Sequence, residues 1–181
     1  LVMTFGLSED MDDDGSDDPT ITFTDATVRS TLSFDHYNWP DAQTCEVYYN
    51  ITDANETIAG IDVRLEAAKD VEGNTVVTYN EADKFSIDMA NPYLDPLTIT
   101  SNNANNTSLA KQGNKVTLSF TTSEPAAADP TVNVDGNPAT VNSLGSNNYT
   151  AEYTFTGGET EGVVNFDITF TDVDGNTCDP D

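Results

Sequence analysis

The chain has 181 residues, 36% of them hydrophobic, with 32 Asp and Glu against 6 Lys and Arg and a formal net charge of -26 at pH 7. That is enough apolar material for one large core or two small ones, and two domains of roughly 90 residues are the expectation. A field of this sign repels phosphate backbones and anionic lipid surfaces, and no apolar run reaches the roughly 20 residues of a bilayer span. Nucleic-acid binding and membrane insertion of this segment are therefore excluded, and cations are the expected partners.

In chain order, apolar and polar residues alternate at 1–7, 20–24, 45–51, 61–65, 116–120, 149–155 and 164–170. Every second side chain facing a core is what a half-buried antiparallel strand requires. Gly, Asn, Asp and Pro clusters separate these runs at about eight to twelve residues, the spacing of a β-sandwich. The one stretch with helical character, 65–70, is too short to stand alone.

An internal repeat sets the organisation. Residues 1–9 (LVMTFGLSE) align with 116–124 (VTLSFTTSE), 18–21 (DPTI) with 129–132 (DPTV), 26–28 (ATV) with 139–141 (ATV), and 70–74 (DVEGN) with 172–176 (DVDGN). The order is preserved, so two copies of one domain are expected at 1–90 and 97–181, joined by a linker at 91–96. The second copy has a lead-in at 97–115 that the first lacks, and the first has a trailing strand at 75–88 of which the second keeps a stub. Either the chain is cut from a longer array, the favoured reading, or neighbouring molecules supply the missing edge strands.

The string Ile87-Asp88-x-x-x-Pro92, Thr98-Ile99-Thr100-Ser101-Asn102-Asn103, Leu109-Ala110-Lys111-x-Gly113-x-x-Val116-Thr117-Leu118-x-Phe120, Ser123-Glu124 and Asp172-x-x-Gly175-Asn176 resembles the bacterial and archaeal Ig-like domains repeated in large surface proteins such as adhesin stalks and S-layers. The second copy matches over nearly its whole length, the first only at its strands and turn. The resemblance implies an all-β fold of two tandem Ig-like antiparallel β-sandwiches with incomplete edge strands at the chain ends. It also implies an extracellular, cell-surface location and calcium at domain junctions.

The strongest local signal is the segment 10–18, in which Asp10, Asp12, Asp14 and Asp18 fall at loop positions 1, 3, 5 and 9, Ser16 offers a carbonyl at 7, and Gly15 takes the turn at 6. Calcium wants that oxygen set. Position 12 is Ile21, so this is not an EF-hand, and further ligands must come from elsewhere. A solvated acidic loop is the competing reading. In an Ig-like topology the loops at 10–18, 35–43 and 70–74 gather at one pole of the first copy. At the corresponding pole of the second, Asp172 and Asp174 would meet Asp88 and Asp95 around a bridging cation. Against this stands a turn in which Asp-x-x-Gly-Asn merely serves positive φ.

His36, Tyr37 and Trp39 form an aromatic segment that could stack on a sugar or partner, or simply cap the core. Sequons at Asn50, Asn55, Asn105, Asn106 and Asn148 permit glycosylation, at a number near chance. Cys45 and Cys178 are too few for a disulfide framework; one long-range bond or two unpaired thiols are both open. With a single His and no nucleophile, phosphate-loop or zinc motif, an enzyme is not expected. The function expected is a non-enzymatic structural segment of an S-layer, sheath or stalk, stiffened by calcium and contacting homotypic neighbours. The alternatives are a calcium-dependent adhesin module binding glycan or protein, and a filament subunit polymerising by strand donation.

Overall fold

A computed structural model of the chain describes residues 1–11, 18–25 and 27–178. The protein is all-β and divides into two units, Leu1–Ala90 and Asn91–Asp181. In the first, β1 (Val2–Gly6), β4 (Thr44–Ile51) and β3 (Leu32–Asp41) form one sheet in the order β1-β4-β3. The strands β2 (Thr20–Phe23), β5 (Thr57–Glu66) and β6 (Tyr79–Asp88) form another in the order β2-β5-β6, and a one-turn helix α1 (Val28–Thr31) leads into β3. Val47, Cys45 and Tyr49 from the first sheet pack against Ile58, Ile61 and Ile87 from the second. Two sheets closed on one core make a β-sandwich.

The second unit orders β7 (Leu94–Ser101), β8 (Lys115–Thr122), β11 (Thr140–Gly145) and β12 (Asn148–Thr154) as β11-β12-β8-β7. Facing them are β9 (Thr131–Val134), β10 (Asn137–Pro138) and β13 (Phe166–Thr169) in the order β10-β9-β13. Its core joins Val116, Leu118, Phe120, Tyr149 and Ala151 to Val132, Val134 and Ile168. All pairings in both units are antiparallel.

The two units repeat each other in register. Phe5 pairs with Cys45 as Phe120 does with Tyr149, and Ile21 pairs with Leu65 as Val132 does with Ile168. Thr20 lies opposite Glu66 and Thr131 opposite Thr169, while Val76 N–H donates to Ala68 O as Cys178 N–H does to Phe170 O. The first unit therefore holds one extra residue between 66 and 68, and Ala67 is that residue, with φ 71°. One sequence alignment does not hold in space. Val141 pairs with Ala151, the counterpart of Tyr37 opposite Val47, whereas Val28 sits in α1.

Two stretches read as connections lie in strands, and a third strand falls where no alternation marks one. Residues 35–41 belong to β3, 140–145 to β11, and β7 already begins at Leu94, inside the stretch 91–96. A bulge hides β3. Phe34 pairs with Tyr49 and His36 with Tyr48, so Asp35 is the extra residue, and Leu32, Phe34 and Tyr37 face the same side despite odd spacing. The segment 65–70 is not helical: it ends β5, passes the left-handed Ala67 and bridges Met11 through Asp70.

Candidate cation and turn sites

The motif Asp-x-x-Gly-Asn builds the same turn twice. In the first unit, Asp70 Oδ1 accepts from the N–H groups of Glu72 (3.0 Å) and Asn74 (2.7 Å), Oδ2 accepts from Asn74 Nδ2 (2.7 Å), and Asp70 N–H donates to Asn74 O (2.9 Å). In the second, Asp172 Oδ1 accepts from the N–H groups of Asp174 (2.9 Å), Gly175 (2.6 Å) and Asn176 (2.8 Å), and Oδ2 from Asn176 Nδ2 (2.9 Å). The glycines, at φ 86° for Gly73 and 102° for Gly175, take the left-handed positions that let the N–H groups converge.

Both carboxylates are buried, yet both stay ionised. The Asn74 side chain and the turn N–H groups hold Asp70 below the usual aspartate range. At Asp172 burial pushes upward as the largest single influence. The Asn176 side chain and three backbone N–H groups together outweigh it and lower the group. Each Asp thus acts as an internal anion around which its turn is folded.

One further carboxylate reaches this turn in the second unit. A Glu124 oxygen lies within 4.8 Å of an Asp172 oxygen, and the Ala126–Asp172 bridge with Ala127 N–H on Thr171 O (2.8 Å) holds the two segments together. The chain enters the unit here, since Ser123 N–H donates to Tyr93 O (2.9 Å). Asp172 Oδ1 is saturated by three N–H donors, so Oδ2 is the oxygen with a lone pair to spare for a cation shared with Glu124. In the sequence Glu124 stands in the repeat and in the Ig-like string, and neither marks it as a ligand. Asp174 is exposed on the turn and Asp95 exposed on β7. In the first unit Asp88 Oδ1 accepts from Thr57 Oγ1 (2.8 Å) and Ala90 N–H (3.2 Å).

At the pole of the first unit, the three segments expected to gather do meet in part. Gln43 Nε2 donates to Asp10 Oδ1 (2.8 Å), Met11 N–H to Ala42 O (2.8 Å), and Val71 N–H to Asp10 O (3.2 Å). Asp12, Asp14 and Ser16 lie outside the described residues. The aromatic residues are occupied by the far end of the same loop: Trp39 Nε1 donates to Asp18 Oδ1 (3.0 Å) and Tyr37 OH to Pro19 O (2.5 Å). His36 stacks on Tyr48 at 4.4 Å and contacts Asp35.

Cys45 and Cys178 are free thiols, each buried in its own unit. Burial, with the Asp18 and Glu46 charges adding to it, pushes the Cys45 thiol up to about 12. The Cys178 sulfur accepts from Phe170 N–H (3.3 Å). Asn50, Asn55, Asn105, Asn106 and Asn148 are all exposed, and the Asn148 amide is engaged with the carbonyls of Gly145 and Ser146.

A carboxylate that spacing does not mark is Glu159. It accepts from Tyr153 OH (2.6 Å), Thr156 N–H (2.7 Å), Thr156 Oγ1 (3.0 Å) and Gly157 N–H (2.7 Å). The Thr156 N–H and the Tyr153 hydroxyl, first among these donors, hold it down to about 2.

Fold and turns together define an all-β protein of antiparallel sandwich units, each carrying the same Asp-centred turn. No family model matches the chain, and neither a curated protein nor a solved structure does.

Proposed function

We propose that the protein is a non-enzymatic structural segment of an extracellular surface assembly, made of Ig-like repeats and stabilised by calcium. The observation that supports this most is the turn shared by both units, where a buried, ionised Asp is spent on folding the backbone. Carboxylates used this way in both copies serve geometry. In this reading calcium sits where carboxylates crowd, in the loop 10–18 and on Glu124 with Asp172, and relieves the repulsion of a chain carrying -26. The surface left over enriches small cations and repels anions over a Debye length of about 8 Å at physiological salt.

Calorimetry with and without a calcium chelator, at constant ionic strength, tests the metal. A ligand bound only to the native state stabilises it by mass action, so chelation lowers the melting temperature. Superimposable melts remove calcium from the account. Trp39, the only tryptophan, is bonded to Asp18 and reports the first site separately: its fluorescence shifts saturably with calcium and not with equivalent sodium.

A further inference from the structure

Because the two units repeat each other, they show which surface residues the fold can do without. Val47 lies opposite Tyr37 as Ala151 lies opposite Val141, so the neighbouring rows match too. His36 with Tyr48 answers to Thr140 with Glu152, and Asn38 with Glu46 answers to Asn142 with Thr150. The second unit builds these rows from two threonines, an asparagine and a Glu152 held by Lys115 at 2.7 Å. The first carries at the same place an imidazole stacked on a phenol ring, with centroids 4.4 Å apart and planes at 13°. Folding of the sheet does not call for that pair.

Its setting follows from the strand. Beyond the bulge, alternation along β3 turns Tyr37 and Trp39 toward the core and His36 and Asn38 to the outer face. β3 is the outermost strand of its sheet, as β11 is of the matching one, so among the described residues no strand lies beyond the ring of His36. The His36 side chain is 55% exposed, and that of Asp35, the bulge residue, 47%.

The polar atoms on this face are nearly all acceptors. His36 Nδ1–H donates to Asp35 Oδ2 (3.1 Å), which leaves Nε2 of the neutral ring with a lone pair. Tyr48 OH (3.0 Å) and Asn38 Nδ2 (2.9 Å) both donate to Glu46 Oε2 and fix that carboxylate in place. Among the described residues Glu46 Oε1, Asp35 Oδ1 and Asn38 Oδ1 have no donor, and one Asn38 amide proton is the only donor these side chains have left. A sugar, whose hydroxyls ask for donors as well as acceptors, is poorly served here. A guanidinium is planar, donates through five N–H groups, accepts through none, and stacks on aromatic faces.

We propose that this face of the first unit binds an arginine-bearing segment of a separate, cationic protein. A guanidinium stacks on the open face of the His36–Tyr48 pair, and N–H groups go to the free oxygens of Asp35 and Glu46. The charge of -26 draws such a partner in. A second copy is disfavoured by the same field: of the chain's two arginines Arg64 is paired with Glu66 (2.7 Å), and Arg29 would arrive on a molecule that is itself strongly negative. Such a contact goes beyond the structural role and needs no calcium.

The test titrates the full chain, at about 0.15 M salt, with two capped glycine-spaced peptides that carry equal numbers of arginines or of lysines, and follows the side-chain signals by NMR. The field of the chain attracts both peptides equally, so their difference reads the stack. The expected result is saturable shifts of the His36 and Tyr48 ring signals and a dissociation constant at least about threefold lower for the arginine peptide. His36→Thr imports the residue that the second unit carries and abolishes this preference. Glu46→Gln keeps the shape of its side chain, carries the test should His36→Thr unfold, and weakens the arginine peptide at least about threefold. Glu161→Gln, an equal change of charge at an exposed position of the other unit, leaves its affinity unchanged. Equal affinity of the two peptides, shifts that miss His36 and Tyr48, a preference that survives His36→Thr, or equal effects of Glu46→Gln and Glu161→Gln overturn the proposal. Saturable binding of a neutral disaccharide to the same rings without arginine preference would make this a sugar site, and a dimer that Arg29→Ala dissolves would make a second copy the occupant. Either result overturns it too.

Discussion

Asp172 and Asn176 hold each other from both sides: Asn176 gives its backbone N–H and its side-chain amide to the two oxygens of Asp172, at 2.8 and 2.9 Å, and its carbonyl accepts from Asp172 N–H at 3.0 Å. The pair closes a five-residue turn whose centre is a carboxylate 1% exposed to solvent. Asp172→Ala leaves three converging N–H groups without an acceptor in a buried place, and costs on the order of 2–4 kcal/mol. Asp172→Asn keeps an acceptor oxygen and costs less. Urea unfolding of the two variants, followed on the second unit, checks the order; equal stability of wild type and Asp172→Ala would refute the role given to this turn.

Glu159 gives the acid limb of stability. Its carboxyl is held at about 2 against an ordinary value of 4.5, so the folded state binds its proton less readily than the unfolded state does. The stabilisation is fully present above 4.5 and is lost as pH falls from there through about 2. Glu159→Gln flattens this part of the stability profile. A carbon-detected titration of the wild type places the midpoint well below the usual glutamate range.

Ala67, the residue that the first unit has in excess, sits exposed at φ 71°. A left-handed alanine is strained by roughly 1 kcal/mol relative to glycine, so Ala67→Gly raises stability by about 0.5–1 kcal/mol despite the flexibility that glycine adds to the unfolded chain. Chemical denaturation reads the sign directly, and a destabilised variant counts against the bulge.

The two thiols are shielded by packing. At pH 8 under native conditions neither Cys45 nor Cys178 reacts with an aromatic disulfide reagent on the minute scale, and in denaturant without reductant two thiols per chain react. Fewer than two in the unfolded protein would mean that a disulfide forms. Cys45→Ser sets a hydroxyl in the core of the first unit, opposite the half-buried Phe5, and lowers stability by about 1–3 kcal/mol.

The strands that could be read from sequence are those with unbroken alternation. Val116, Leu118 and Phe120 mark β8 because every second residue reaches the core. β3 escaped because the bulge at Asp35 shifts the phase midway, so Phe34 and Tyr37 share a face three residues apart. Sequence alone leaves the aromatic segment open between a stacking surface and a cap on the core, because the partners of Trp39 and Tyr37, Asp18 and Pro19, come from another stretch of chain.

Composition and local pattern by themselves determined the all-β class, the negative field and the repeated Asp-x-x-Gly-Asn turn, because period-two burial and turn chemistry are properties of neighbouring residues. Only the tertiary structure decided which carboxylates meet, as Glu124 meets Asp172, and which strands pair, as β8 lies between β7 and β12. Those depend on contacts between residues dozens of positions apart, fixed by the register in which the sheets close.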